Sequence, residues 1–298
     1  MVELNDFLDK VKDQPVQNGN KGMAAEVEQF KDNFVYIGTQ QFDEATDAMA
    51  SRITGLAQGS EEEIGKKVIV FVKEAPSVIA GQVTDIPGDV YIASNVLNKL
   101  SPELQKSGQV VLLTDPKAVA EIVAREGVDG SRVVVFDDVM ASGSQMSSAI
   151  LNDFNSYSPL LSDGSSSPGL IKAMMDAGVS KFEAGKAIEV DVMSKGTNIW
   201  AHTSFETAGV QVNSYYNIKQ LRPTAQDMTS SVSSYYSSTD FGFDHEINSL
   251  MSFYTGSGGS IERPVLSNIA RPYKPGHPDF AANYQKWLKI EQEYKPSN

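Results

Sequence analysis

The residues best suited to chemistry lie in one short stretch, from Val133 to Met146, which reads VVVFDDVMASGSQM. Its apolar residues predict a buried strand, and Asp137 and Asp138 follow where that strand leaves the sheet. The Gly/Ser-rich turn that comes next leads into a helix, whose first N–H groups and dipole can hold a phosphate. Two carboxylates beside it suit sugar hydroxyls or a divalent cation, so the stretch predicts a site for a ribose 5-phosphate.

A plainer interpretation of this stretch stays open. Asp and Ser are common residues at helix N-caps, so an ordinary strand–turn–helix with an acidic cap would have a similar sequence. The two interpretations differ in whether Asp137 and Asp138 meet a ligand or only the backbone of their own turn.

The stretch resembles the phosphoribosyl pyrophosphate (PRPP) motif of type I phosphoribosyltransferases: an apolar strand, two acidic residues, an apolar pair, then Thr-Thr-Gly-x-Thr. The resemblance implies that Asp137 and Asp138 contact the ribose hydroxyls and take part, through PRPP, in holding Mg²⁺. It also implies a loop that binds the 5′-phosphate, formed by Ala141, Ser142, Gly143, Ser144 and Gln145. Ala141 and Gln145 depart from the motif, since they stand where the family has its first and last Thr.

Two further segments resemble the family more weakly. After the strand Phe34–Ile37, the residues Gly38, Thr39, Gln40 and Gln41 match the position of the pyrophosphate loop, although the Arg or Lys that the family often has there is absent. Lys73 matches a basic residue that ends a strand before the family's catalytic loop. That loop would be Ala75–Gly88, whose small residues, prolines and glycines predict either a mobile loop or a β-hairpin arm.

What the resemblance implies is transfer of 5-phosphoribose from PRPP to a nitrogenous base, with release of pyrophosphate and with Mg²⁺ as cofactor. Asp137, Asp138 and Lys73 would be the catalytic residues. The alternative is a non-catalytic sensor or regulatory protein that binds PRPP or a nucleotide, and the missing basic residue in the segment Gly38–Gln41 favours it.

The elements that must position these residues predict an α/β fold with a mostly parallel sheet flanked by helices. The expected strands are Phe34–Ile37, Val68–Val72, Val90–Ile92, Val110–Leu113, Arg132–Phe136, Ala187–Met193 and Asn198–Thr203. The expected helices are Phe42–Leu56, Asn95–Leu104, Pro116–Glu126, Ser147–Phe154 and Leu170–Ala177, with helical patches near Asp244–Tyr254 and Phe280–Tyr294.

The sequence predicts three regions: a helical segment over 1–30, the α/β domain over 31–204, and an irregular polar and aromatic module over 205–298. A hood over the base would come from Met1–Glu28 or from the last region. Trp200, Phe205 and Tyr215 are candidates for stacking on the base.

Composition narrows the function classes. The formal net charge of −13 argues against an extended nucleic-acid surface, which needs clustered Lys and Arg. There is no cysteine, which excludes disulfides and thiol chemistry, and the scattered His202, His245 and His277 do not suggest a zinc site. No long apolar run or signal segment is present, so we expect a cytoplasmic protein without membrane contact, binding PRPP and a nucleobase-like molecule and forming, as the family often does, a homodimer.

Overall fold

Three apolar runs of the sequence, VIVFV, VVLL and VVVF, form neighbouring strands of one parallel sheet. They lie in a computed structural model that describes residues 35–37, 39–59, 65–140, 144–151, 169–196, 200–218, 267–269, 273, 275 and 278–296. Because runs of this kind are apolar on both faces, they suit strands that are covered by helices on both sides.

The central sheet has five parallel strands in the order β5-β2-β6-β7-β8. Its strands are β2 (Lys67–Phe71), β5 (Val110–Leu113), β6 (Ser131–Met140), β7 (Ile188–Gly196) and β8 (Gln211–Ile218). The α/β fold and the mostly parallel sheet predicted from the sequence are therefore confirmed.

Nine helices lie within the described residues. They are α1 (Thr39–Gln58), α2 (Gly88–Asn98), α3 (Pro102–Lys106), α4 (Pro116–Glu126), α5 (Ser144–Leu151), α6 (Leu170–Asp176), α7 (Lys181–Ala187), α8 (Trp200–Ala208) and α9 (Phe280–Glu293). None of these described helices combines the length and the apolar character that crossing a membrane requires.

The helices cover the two faces of the sheet and make two apolar cores. On one face, Val68 and Val70 of β2 pack in a core with residues of α1, α2, α3 and α9. On the other face, Ile69 and Phe71 pack in a core with residues of α4 to α8. The alternation along β2 follows the two-residue period of a strand, and each face buries its own set of side chains.

Two short pairs of strands stand outside the central sheet. The strand β1 (Val35–Ile37) pairs in parallel with β9 (Ser267–Ile269), so the expectation that β1 belongs to the main sheet is wrong. The segment Ala75–Gly88 contains an antiparallel pair, β3 (Ser77–Ile79) and β4 (Gln82–Asp85). Of the two alternatives for this segment, the structure shows the β-hairpin arm.

Three of the predicted elements are wrong. Val90–Ile92 is not a strand but part of α2, where Asp89 sits in the first turn and the apolar residues face the core. The helix predicted over Asn95–Leu104 is two helices, since α2 ends at Asn98 and α3 begins after the N-cap Ser101. The strand predicted over Asn198–Thr203 overlaps α8, because a short apolar run does not distinguish a strand from a buried helix.

The region after residue 205 contributes ordered elements to the described fold. Strand β8 pairs with β7 from Glu189 to Gly196, and α9 packs against α2 through the buried Trp287 and Ile290. The helical patch predicted near Phe280–Tyr294 is confirmed as α9, whereas the patch near Asp244–Tyr254, like the segment 1–30, lies outside the described residues.

Candidate functional site

The order of the strands places a topological switch point between β2 and β6. From β2 the chain passes through α2 to the edge strand β5, whereas from β6 it passes through α5 to α7 on the opposite face and reaches β7. In open α/β sheets, connections that leave neighbouring strands in opposite directions open a crevice at the carboxyl ends of those strands, and ligands bind there.

Lys73 and Asp137 meet at this switch point. Strand β2 ends at Phe71, which is paired with Val135, so β6 continues past the end of its neighbour. The Nζ atom of Lys73 lies 3.4 Å from Oδ1 of Asp137, and both side chains are largely buried. The structure thus brings together two predicted site residues that the sequence puts on different strands.

Two residues that the sequence did not single out complete the surroundings of this ion pair. Asp89, in the first turn of α2, accepts a hydrogen bond of 2.7 Å from the backbone N–H of Lys73. The hydroxyl of Tyr273 donates a hydrogen bond to Oδ2 of Asp138. We call Lys73, Asp89, Asp137, Asp138 and Tyr273 the edge cluster.

Gly88 is part of the wall of the edge cluster. A Cβ atom at this position would lie 2.6 Å from Cγ and from Oδ2 of Asp138, which is closer than real side-chain atoms approach. A larger residue here would displace the carboxylate of Asp138, which packs directly against the start of α2.

The electrostatics of the edge cluster follow from burial and from the surplus of carboxylates. Burial raises the pKa of Asp137 to about 7. The attraction to Lys73 lowers this pKa, but repulsion from Asp138 and Asp89 opposes the attraction. Burial also raises the pKa of Asp89. Burial would lower the pKa of Lys73, but the surrounding carboxylates, Asp137 foremost, outweigh burial and raise it. The cluster therefore holds a charged lysine among more carboxyl groups than it can neutralise.

The predicted phosphate loop is described only in part. Ala141, Ser142 and Gly143 lie outside the described residues, as do the side chains of Ser144 and Gln145. The backbone of Ser144 begins α5, so a helix N-terminus follows the acidic pair after five residues, three residues earlier than the predicted start at Ser147. The contacts of this loop with a phosphate stay a prediction.

The predicted pyrophosphate loop follows β1, which is not a strand of the central sheet. Gly38 lies outside the described residues, and Thr39, whose side chain is not described, begins α1. The side chain of Gln40 is exposed and donates a hydrogen bond of 2.9 Å to Glu44, four residues further on. The backbone carbonyl of Gln41 accepts one of 3.0 Å from the hydroxyl of Tyr216.

Since β1 is not a strand of the central sheet, the segment Gly38–Gln41 does not follow a strand next to β6. The segment at the end of the neighbouring strand β2 contains Lys73 instead.

The candidates for stacking on a base differ in their burial. Phe205 is fully buried in the core between the sheet and α8, so its proposed role in stacking is wrong. Tyr215 is half-buried on the other face of the sheet, and burial raises the pKa of its hydroxyl, with the charge of Asp191 adding to the effect. The side chain of Trp200 lies outside the described residues.

A second group of buried acidic residues lies on the sheet face beneath α1. Glu189 and Asp191 of β7 point to the same face, and both accept hydrogen bonds from Asn213 of β8, at 3.2 and 2.7 Å. Arg52 of α1 forms an ion pair with Glu189. We call Arg52, Glu189, Asp191 and Asn213 the sheet-face cluster, and burial together with Glu189 raises the pKa of Asp191 to about 7.

Of the two residues of the edge cluster that were not predicted, Asp89 has a local sequence signal and Tyr273 has none. Pro87, Gly88 and Asp89 form a helix start with an acidic first turn, which could have ended the predicted loop and identified Asp89. Tyr273 lies far along the chain in the Pro-rich stretch RPYKP, and nothing in its spacing indicates a contact with Asp138.

The described residues contain no group of three His, Asp or Glu side chains arranged to hold a metal ion. Comparison of the chain with protein-family models, with curated proteins and with solved structures gave no match. The α/β fold and the geometry of the edge cluster are therefore the basis for any statement about function.

Proposed function

We propose that the chain is a PRPP-dependent phosphoribosyltransferase, which transfers 5-phosphoribose to a nitrogenous base and releases pyrophosphate. The observation that carries the proposal is the 3.4 Å contact between Lys73 and Asp137 at the switch point of the sheet. A buried carboxyl group with a strongly shifted pKa, beside a cation and in a position where α/β folds bind ligands, is a candidate for chemistry.

In the proposed complex, the residues of β6 and α5 bind opposite ends of the phosphoribosyl group. Asp137 and Asp138 accept hydrogen bonds from the ribose hydroxyls, and the backbone N–H groups around Ser144 hold the 5′-phosphate. The bond from ribose C1′ to pyrophosphate breaks as the base nitrogen bonds to C1′. Carboxylates near the ribose offset the positive charge that develops on the sugar ring in the transition state.

Lys73 supplies the positive charge on the neighbouring strand. In the described structure its ammonium group is directed to Asp137, and in the proposed complex it is available to an oxygen of PRPP that enters the crevice. This role replaces the one that the resemblance gave to the uncharged segment Gly38–Gln41.

Magnesium fits this site as part of the substrate and not as a resident ion. The edge cluster offers carboxylate oxygens, which suit Mg²⁺, but the described residues hold no three-ligand arrangement. In the proposed complex Asp137 and Asp138 face the ribose side of Mg²⁺–PRPP. The ion screens the charge of PRPP beside an acidic protein when it is bound.

Isothermal titration with PRPP and Mg²⁺, comparing Asp137→Asn with Asp191→Asn, tests the site. Both substitutions replace a buried aspartate of raised pKa by an amide of the same size, on adjacent strands. We expect Asp137→Asn to weaken binding at least tenfold, about 1.4 kcal/mol, and Asp191→Asn to leave it unchanged. Equal effects of the two substitutions would contradict the assignment of Asp137.

Pyrophosphate release over a panel of nucleobases tests the reaction. The second candidate function is a sensor that binds PRPP or a nucleotide without turnover, and it is favoured by the lack of a basic residue in the segment Gly38–Gln41. Binding with turnover supports the transferase, and binding without turnover on every base supports the sensor. A wild-type protein that binds neither PRPP nor nucleotides rules out both.

A further inference from the structure

We propose that Tyr273 is a positioning residue of the edge cluster, which fixes the carboxylate of Asp138 for the recognition of sugar hydroxyls. The inference rests on the proposed function, because it assigns a role to a residue next to the proposed ribose site. It also brings the region after residue 205 into that site, where the sequence predicted an irregular module or a hood.

The contact between Tyr273 and Asp138 is buried and direct. Tyr273 is 1% exposed, and its hydroxyl donates to Oδ2 of Asp138. On another side of the same carboxylate lies Gly88, where a Cβ atom would come within 2.6 Å of Oδ2. The carboxylate is thus fixed between a donor and the start of α2.

The ring of Tyr273 is itself fixed by a row of aromatic rings. Its centroid lies 4.9 Å from that of Tyr91 of α2, and Tyr91 lies 5.1 Å from Phe42 of α1. Because aromatic rings in such contacts have few alternative rotamers in a packed core, the hydroxyl of Tyr273 cannot follow a moving carboxylate. The row therefore ties the orientation of Asp138 to two helices of the first face.

A phenol suits this positioning role better than a cation. It donates a single hydrogen bond to the carboxyl group of Asp138 and brings no positive charge to it. Asp137, by contrast, is paired with the ammonium group of Lys73. Of the acidic pair, Asp138 is then the member oriented by a neutral donor, and orientation is what the recognition of a sugar hydroxyl requires.

Tyr294 offers a matched control for a purely structural role. It is also 1% exposed, and its hydroxyl donates a hydrogen bond of 2.9 Å to the backbone carbonyl of Leu97. Replacement by Phe removes one buried hydroxyl in each case, but only Tyr273 contacts the acidic pair.

The test is isothermal titration of Tyr273→Phe and Tyr294→Phe with two probes, ribose 5-phosphate and inorganic phosphate. We expect Tyr273→Phe to weaken binding of ribose 5-phosphate about fivefold, because a hydrogen bond to a charged group is lost, and to leave that of inorganic phosphate unchanged. Tyr294→Phe should change neither affinity, although it removes a buried hydrogen bond. A merely structural role of Tyr273 would affect both probes equally or neither.

Asp138→Asn completes the experiment, alone and combined with Tyr273→Phe. If Tyr273 acts through Asp138, its substitution has no further effect on ribose 5-phosphate in the Asp138→Asn background. Additive effects, or tighter binding by Tyr273→Phe, overturn the positioning role, the latter because the phenol would then occupy the sugar site. If the wild-type protein binds neither PRPP nor ribose 5-phosphate, the proposed function fails and the positioning role fails with it. If it binds but Tyr273→Phe behaves like Tyr294→Phe, only the positioning role fails.

Discussion

The edge cluster and the sheet-face cluster are two groups of buried acidic residues on adjacent strands, and they differ in their exposure to solvent. Each has an aspartate whose pKa burial raises to about 7, Asp137 in the first and Asp191 in the second. In the edge cluster the side chains of Lys73 and Asp137 keep 14% and 10% of their surface exposed, beyond the end of β2. In the sheet-face cluster Asp191 is fully buried beneath α1.

A raised pKa alone therefore does not identify a functional site. The sheet-face cluster satisfies its charges internally, through Arg52 and the amide of Asn213, and one oxygen of Asp191 is left without a donor. Burial raises the pKa of Asp191, and the charge of the neighbouring Glu189 adds to this effect. The edge cluster collects its members from separate elements at the switch point of the sheet, where α/β folds bind ligands.

The largest expected effect comes from removing the cation of the sheet-face cluster. Arg52→Met leaves Glu189 and Asp191 buried with Asn213 as their remaining donor, so we expect a loss of about 3 kcal/mol in the free energy of unfolding. Urea denaturation at pH 8 measures it.

The control for this substitution is Arg125→Met, which breaks an ion pair with Glu126 in which both side chains are exposed. It should cost less than about 0.5 kcal/mol. Similar losses for the two variants would mean that the sheet-face cluster is not held together by Arg52.

The next effect concerns the pH dependence of stability. The pKa of Asp191 is about 7 in the folded protein, against about 4 in the unfolded chain. Between these values the folded state holds a proton that the unfolded state releases, so the stabilising contribution is complete below pH 4 and is lost as pH rises through 7. Asp191→Asn removes this loss, and we expect it to recover about 2 kcal/mol of the decline between pH 5 and pH 7.

Urea denaturation across this pH range, with Asp129→Asn as control, tests the assignment. Asp129 is exposed in the turn before β6, and its substitution should leave the pH dependence as in the parent protein. If Asp191→Asn also follows the parent curve, Asp191 is not the group responsible for the decline in stability.

The sheet and much of the edge cluster are predictable from the sequence because these features depend on local signals. The apolar runs of β2, β5 and β6 and the capped helix α4 were predicted within one or a few residues, since Asp115 and Pro116 mark a helix start by their own chemistry. Asp137, Asp138 and Lys73 were found because they come directly after the apolar runs VVVF and VIVFV, although β6 itself continues through the acidic pair to Met140. These are properties that a short window of sequence contains.

The remaining features depend on contacts between distant segments. The pairing of β1 with β9 and the bond from Tyr273 to Asp138 join parts of the chain that no periodicity connects. The capping box of Ser180 and Glu183, which begins α7, was a local signal and could have been recognised. The sheet-face cluster was not predictable from the sequence, because the position of α1 over β7 follows from tertiary packing alone.

The smallest expected effect separates a glycine of the edge cluster from one that has open space. Gly88→Ala places a Cβ 2.6 Å from the carboxylate of Asp138, whereas Gly55→Ala, on the exposed side of α1, meets no atom within 4 Å. We expect Gly88→Ala to destabilise the protein by about 1.5 kcal/mol through this overlap, and Gly55→Ala to stabilise it by about 0.5 kcal/mol through helix propensity. Urea midpoints give both changes, and in the double variant Gly88→Ala with Asp138→Ala the cost at Gly88 should largely disappear. If the cost persists there, it arises from the backbone of α2 and not from the carboxylate of Asp138, and packing against Gly88 does not orient Asp138.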